Sequence, residues 1–549
     1  MMKQLDLILT SLCLLGGSLV AVETNAAAKP NIVVIYTDDQ GYADLGCQGI
    51  RTDLKTPNID ALAASGVRMI AGYVTAPQCM PSRCGLISGQ YQNKFGMEAN
   101  KGSDPDAFQR FRALETLPKR LKEAGYVTGM AGKSHLGSDD SAEIAKLGFD
   151  KVFFKHSDAA GHWNMDLTGK DIKPQVQEKL SGYHLELITT FACAFIDRFK
   201  DQPFFFYLAY RAPHVPLDAT KKYLDRFPGE MPESRRKALA SISAVDDGVG
   251  KVMETLRKNG LEENTLVFVI SDNGAPIGLT TPEMRAKGSD GWAGSLNDPL
   301  NGGKGMLIEG GIRTPYIVYW KETIPGGQVY ANPVISLDVA ATANALAGQP
   351  DDPALDGVNL MPYLTGKNTG QPHDALYWRW CGQSAIRKGD RKYLTCGGRQ
   401  YLFDLATDPE EQHNLLPQQS ELGRDLRAQL EQWGQSLIPP GLGPAQMTGP
   451  AQRYYDFYLD GKTAPAPAGD APKAAPKAAA RKGASSQRPV ASPQSFFESR
   501  DKDKDGALTL EEYIITPEGR NVPVLTKRFQ ALDRDGDGRL TLSELEGEK

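Results

Sequence analysis

Between positions 29 and 348, short uninterrupted apolar runs alternate with longer stretches of helical period. The runs are NIVVIY (31–36), YVTGMA (126–131), PFFFYLAY (203–210), TLVFVI (265–270) and YIVYW (316–320). A strand with one wet face alternates apolar and polar residues, whereas a strand covered on both faces does not. These runs therefore predict buried strands of a mainly parallel sheet. The stretches between them, such as 178–200 and 233–259, predict the crossover helices that parallel strands require. A three-layer α/β/α domain over residues 29–350 follows.

The pattern then changes. Residues 351–460 carry shorter strands, turns and one helix near 420–437, which predicts a smaller α+β subdomain. Residues 461–491 are rich in Ala, Pro and Lys and have no apolar period, the composition of an extended linker. Residues 492–549 hold two acidic twelve-residue loops, DKDKDGALTLEE and DRDGDGRLTLSE. Each matches the EF-hand calcium loop at every fixed position. The expected ligand positions are Asp501, Asp503, Asp505, Ala507, Thr509 and Glu512, then Asp533, Asp535, Asp537, Arg539, Thr541 and Glu544. Gly506 and Gly538 allow the sharp turn at position six. A small α-helical tail binding calcium is expected.

Composition narrows the partners. A formal net charge of −5 and an apolar fraction of 40% suit a soluble enzyme and give no nucleic-acid surface. Residues 1–28 combine Lys3, an apolar stretch and Ala26-Ala27-Ala28, the layout of a cleaved signal peptide. The expectation is a secreted or periplasmic protein, without stable membrane insertion after cleavage. Outside that leader stand Cys47, Cys79, Cys84, Cys193, Cys381 and Cys396, too scattered for a disulfide-stapled fold. Cys381 and Cys396 flank a hairpin pattern where pairing is open.

Chemistry gathers where the apolar runs end. Asp38 and Asp39 follow the first run, Lys133 and His135 the second, His214 the third, Asp272 and Asn273 the fourth. The carboxyl ends of parallel strands form the binding crevice of such sheets. Three carboxylates and an amide favour calcium or magnesium over zinc, and the lysine and histidines suit an anionic substrate. Cys79 precedes Pro81, a natural first helical residue, and so stands just before a helix N-terminus. A reactive thiolate fits that field, but a soft thiolate matches a hard-oxygen metal site poorly. The segment 153–166, with Lys155, His156, His162 and Trp163, reads equally as a sugar grip or as a surface loop.

Cys79-Met80-Pro81-Ser82-Arg83 resembles the C-x-P-S-R signature of the type I sulfatases, whose fold is similar to alkaline phosphatase. The likeness extends over TDDQG at Thr37, GKSHLG at Gly132, APHVP at Ala212, SDNG at Ser271, GGKGMLIEGGIRTP at Gly302 and LFDLATDPEEQHNL at Leu402. Ser134 departs from it, since tryptophan is common there. The resemblance implies that a separate maturation enzyme oxidises Cys79 to formylglycine, and that Cys84 is a buried helix residue. It implies calcium on Asp38, Asp39, Asp272, Asn273 and the oxygen of residue 79. Lys133, His214 and Lys304 would bind sulfate, with Lys304 or His214 protonating the leaving oxygen. Arg83 would hold the hydrated aldehyde, and His135 would deprotonate its second hydroxyl to release sulfate. The substrate implied is a sulfate ester, with a sulfated glycan favoured by secretion. Two rivals remain from the residues: a phosphatase or phosphodiesterase on the same fold, and an inert calcium-dependent binding protein.

Overall fold

The computed structural model describes residues 29–100, 104–137, 141–154, 161–178, 180–277, 294–440 and 449–462. Of the C-terminal segment it describes 497, 500–501, 503–514, 529–530, 532–533 and 535–542. The signal-peptide expectation, nearly all of the linker, Lys155, His156 and Glu544 lie outside the described residues. Two compact units divide between Ala464 and Pro465.

The first unit is built on a 10-stranded sheet. Its middle is five parallel strands, in the order Thr265–Ser271, Asn31–Thr37, Phe204–Ala209, Val127–Gly132, Lys151–Phe154. Asn31–Thr37 is buried along its whole length, as its unbroken apolar run requires. Ile32, Val34 and Tyr36 face one core, with the helices Cys79–Ser88, Leu117–Glu123 and Asp338–Leu346. Val33 and Ile35 face the other, against Pro57–Ser65, His184–Phe199 and Glu233–Lys258. These are the three layers. Tyr316–Tyr319 joins antiparallel beside Thr265–Ser271.

One local expectation changes, and two readings left open are decided. The helix predicted from 178 starts at His184, and residues Asp171–Glu178 form a strand instead. Among the described residues of the 153–166 segment, Phe153 and Phe154 pair antiparallel with Trp163 and His162. Trp163 is buried and stacks on Phe153 at 5.3 Å, so its ring belongs to the core and grips no sugar. Cys381 and Cys396 are both buried free thiols.

The smaller subdomain is a four-stranded antiparallel meander, Leu376–Trp380, Gln383–Lys388, Arg391–Cys396 and Arg399–Asp404. One face packs Ile386, Tyr393 and Leu402 under Leu426 and Leu430 of the helix Ser420–Gln435. The other packs Trp378, Leu394 and Phe403 with Met306, Leu307 and Ile308. That second face matters because Lys304 precedes this apolar triplet.

In the second unit, Ala507–Thr509 and Arg539–Thr541 pair antiparallel, with Leu508 opposite Leu540. Both leucines sit in a small core with Phe497, Tyr513, Phe529 and Leu532.

Candidate active site

The parallel strands end on one edge of the sheet, and short backbone bonds tie their ends together. Asp272 N donates to Thr37 O at 3.0 Å, Lys133 N to Ala209 O at 2.8 Å and Asp38 N to Ala212 O at 3.1 Å. Asp39 and His135 adopt left-handed backbone, φ +62° and +49°. Such conformations are unfavourable outside glycine and concentrate at functional sites.

Cys79 is the first residue of its helix, with Gln78 as N-cap. The expectation that the helix starts at Pro81 is corrected by two residues, because residue 79 already takes helical backbone. Its side chain is fully buried. The Sγ lies 3.3 Å from Asp38 Oδ1, 3.8 Å from Asp39 Oδ1 and 3.1 Å from Lys304 Nζ. Lys304 also donates to both Asp39 oxygens, at 2.6 and 2.8 Å, and Lys133 donates to Asp38 Oδ2 at 2.5 Å. His214 Nε2 stands 3.6 Å from Asp39 Oδ2. Cys84 is buried in the same helix.

Arg83 lies inside this cluster. Its Nε donates to Asp272 Oδ2 at 2.9 Å, and its Nη1 to Lys133 O at 3.2 Å and Tyr207 OH at 3.1 Å. Its guanidinium also lies over the Tyr36 ring, 5.3 Å from the centroid. Asp272 Oδ1 accepts Asp39 N at 3.1 Å, so both Asp272 oxygens are engaged.

Burial and charge pull against each other here. Burial opposes ionisation of Asp38, yet the charges of Lys133, Arg83 and Lys304 outweigh it and hold the carboxyl well below the usual range. Asp272 goes the other way: burial and the neighbouring Asp38 charge push it up, and Arg83 offsets only part. Burial, then Asp272 and Asp38, push the Cys79 thiol well above its usual range. Burial pushes His214 down, with Asp38 and Asp39 opposing. Burial works against the Lys133 ammonium, and the Asp38 charge overcomes it. The site thus holds charged lysines, a neutral imidazole and a protonated thiol.

Asp38, Asp39, Cys79 and His214 each place a donor atom within 4.8 Å of the others. Asn273 Nδ2 donates to Asp39 Oδ1 at 2.7 Å and to Gly274 O at 2.8 Å, while its buried Oδ1 has no hydrogen-bond partner. An orphaned buried carbonyl oxygen beside two carboxylates fits a hard cation such as calcium. Asp272 joins this group through Asp39 N and is tied to Arg83.

Sequence reasoning missed what holds the Lys304 loop. Gln383, fully buried on the small sheet, accepts Leu307 N at 3.0 Å and Tyr455 OH at 2.6 Å, and donates to Gly305 O at 3.1 Å. Gly305 N in turn donates to Pro77 O at 2.8 Å, two residues before Cys79. Gln383→Ala strands these three groups, each worth about 1–3 kcal/mol when buried without a partner. The expected outcome is a lower Tm together with a lower kcat. A variant with wild-type Tm and kcat would remove Gln383 from this role.

The acidic loops of the second unit gather their carboxylates too. Asp501, Asp503 and Glu512 form one group of donor atoms within 4.8 Å, and Asp533, Asp535 and Asp537 another. Gly506 and Gly538, at φ +86° and +81°, turn their N–H onto Asp501 and Asp533. Ala507, Thr509, Arg539 and Thr541 lie on the paired strands. Asp505 stands outside the first group and pairs with the Arg539 guanidinium.

The sulfatase family profile matches residues 30–349. The chain belongs to the sulfatase family. It is a sulfuric ester hydrolase with the alkaline-phosphatase-like fold. A profile described as N-sulphoglucosamine sulphohydrolase, C-terminal, matches residues 303–436, and an EF-hand profile matches 526–547. Human N-acetylgalactosamine-6-sulfatase is 30% identical over 444 residues, 73% of this chain and 81% of that protein. The uncharacterized sulfatase YdeN of Escherichia coli K12 is 30% identical over 65% of this chain and 70% of its own length. Among solved structures, Ps i-CgsB in complex with k-i-k-neocarrahexaose shares 31% identity with a TM-score of 0.64. The match covers 78% of this chain and 97% of that one. This sulfatase also shares its fold with the phosphonate monoester hydrolase of Agrobacterium radiobacter, TM-score 0.53 at 20% identity.

Proposed function

We propose that this sulfatase is secreted or periplasmic, removes sulfate from carbohydrate sulfate esters, and uses formylglycine made from Cys79 together with calcium. The observation that carries this reading is the setting of Cys79. A thiol held protonated by burial and by its carboxylate neighbours makes a poor nucleophile, yet it lies 3.1 Å from Lys304 and 3.3 Å from Asp38. A small oxygen-bearing side chain satisfies those strong donors and acceptors better than sulfur does. The maturation enzyme that performs the conversion is the implied partner.

Calcium held by Asp38, Asp39, Asp272 and Asn273 would supply positive charge for sulfate oxygens, and the hydrate of formylglycine would supply the hydroxyl nucleophile that the thiol cannot. Arg83 fixes Asp272 and the helix start, and so aims residue 79. Lys133 and Lys304 bind sulfate oxygens. Lys304, close to residue 79 and fully charged, protonates the leaving alcohol, and His214 adds a hydrogen bond. His135, two residues after Lys133, accepts the proton of the second hydroxyl of hydrated residue 79, so that the aldehyde reforms as sulfate leaves. The relatives' names favour glycans: one acts at N-acetylgalactosamine 6-sulfate, and another was solved with a neocarrahexaose.

The domain limits 29–350, 351–460, 461–491 and 492–549, and calcium in the EF-hand loops, belong to the same proposal. The test compares the mature chain with one ending at Ala464, using an aryl sulfate, the matching aryl phosphate and a panel of sulfated saccharides. Both chains should release sulfate at similar rates, with phosphate release far slower. Faster phosphate release would favour the phosphatase rival. Inactivity of the shorter, folded chain would place the tail in the catalytic unit.

A further inference from the structure

Among the described residues, three large apolar side chains are distinctly exposed: Val215 at 43%, Val329 at 56% and Tyr458 at 44%. Val329 lies on the edge strand Gln328–Tyr330 of the sheet, away from the chemistry. The other two are connected to it through the chain. Val215 follows His214. Asn301 donates to the Tyr458 hydroxyl at 2.5 Å, and Asn301 precedes Lys304 by three positions in the same loop. At ~3.3–3.6 Å per residue, that places Asn301 within about 11 Å of Lys304 along the chain.

Tyr458 is also held unusually firmly for an exposed ring. It sits in a π-helical turn, Tyr455–Leu459, a rare conformation that recurs at functional sites. Arg399 pins the turn through Asp456 and Asp460, Tyr401 OH donates to Asp460 Oδ1 at 2.7 Å, and Tyr455 OH reaches Gln383. The Tyr458 ring stacks on buried Tyr454, centroids 4.9 Å apart and 20° between planes. One side of the ring is therefore backed by protein, and the remainder is left to solvent. A rigid aromatic plane with a polar tip recognises a ligand that is itself part apolar and part hydroxylated. A pyranose ring has that character, with C–H groups on its face and hydroxyls on its rim.

We propose that Tyr458 is a carbohydrate platform, stacking beneath a sugar ring next to the one whose sulfate enters the site. This rests on the glycan reading above and adds to it a place for the neighbouring sugar. It also gives the small C-terminal sheet a share in substrate choice, since the same sheet carries Gln383 and Arg399. An aryl sulfate or a monosaccharide sulfate is too short to need the platform.

The experiment measures kcat/KM on a sulfated galactose hexasaccharide and on an aryl sulfate, and takes their ratio, for wild type, Tyr458→Ala, Tyr458→Phe and Tyr458→Trp. Tyr458→Ala should lower the ratio on the order of tenfold, mainly through a higher KM for the hexasaccharide, as the loss of one stacking contact implies. Tyr458→Phe and Tyr458→Trp, which keep a ring, should hold the ratio near wild type. An unchanged ratio in Tyr458→Ala overturns the platform. So does a fall in Tyr458→Phe as large as in the alanine variant, which would assign the effect to the hydroxyl's hold on Asn301. A wild-type protein that desulfates the aryl sulfate but no saccharide would overturn the glycan reading, and the platform with it. No sulfate release from any ester would instead strike the catalytic reading of residue 79.

Discussion

Cys79→Ala should lower sulfate release from an aryl sulfate by on the order of 10⁴–10⁶-fold, the scale seen when an enzyme loses its nucleophile. The physical ground is the pairing of position and chemistry at residue 79. The side chain is fully buried at the start of its helix, and Asp38, Asp39 and Lys304 surround its Sγ. Everything placed around that atom would handle an oxygen, and the thiol itself is kept protonated. Wild-type protein from a host with the maturation enzyme should therefore show the residue-79 peptide with sulfur replaced by oxygen and two hydrogens lost. Mass spectrometry of fully active protein that found only free thiol would sink the proposal. The alanine variant should keep the wild-type Tm closely enough to exclude unfolding, because a small side chain is exchanged for a smaller one.

Lys304→Ala should lower kcat by about 10²–10³-fold, the usual worth of a general acid or of one charge aimed at the transition state. Burial works against the Lys304 ammonium, but the Asp39 and Asp38 charges raise its pKa, so the side chain stays charged through the neutral range. A charged lysine can serve in two ways, and the leaving group tells them apart. Expulsion of a nitrophenol needs little protonation, whereas expulsion of a sugar alcohol needs much. As a proton donor, Lys304 should be missed far more on a sugar sulfate than on a nitrophenyl sulfate. Equal losses on both would assign it to sulfate binding alone, and His214→Ala would then be expected to show the leaving-group dependence.

Much of the fold was legible in the sequence because it is written in local periods. The runs at 31–36 and 265–270 lack a polar face, and both strands are buried along their whole length. The candidate site was legible for a related reason: topology forces parallel strand ends onto one edge, so chemistry that follows separate strands must converge. The structure does bring Asp38, Asp39, Cys79, Arg83, Lys133, His214, Asp272, Asn273 and Lys304 together. Trp163 shows the limit of composition. A tryptophan beside histidines reads as a ligand grip until the pairing of Phe153 with Trp163 turns its ring into the core.

By itself, then, the sequence determined the three layers, the smaller sheet after residue 350, the acidic loops, and which residue types would meet at the strand ends. Periodicity and turn chemistry act over a few residues and leave a readable trace. Only the tertiary structure decided that Arg83 engages Asp272, that Gln383 holds both sides of the loop after Lys304, and that Tyr458 is tethered to Asn301. Each of these links joins positions far apart in the chain through one or two hydrogen bonds. Such a bond imposes no period on its neighbours, so the sequence around Gln383 or Tyr458 looks the same whether or not the contact forms. Packing of the small sheet against Met306–Ile308 brings the partners within reach, and that packing exists only in the folded chain.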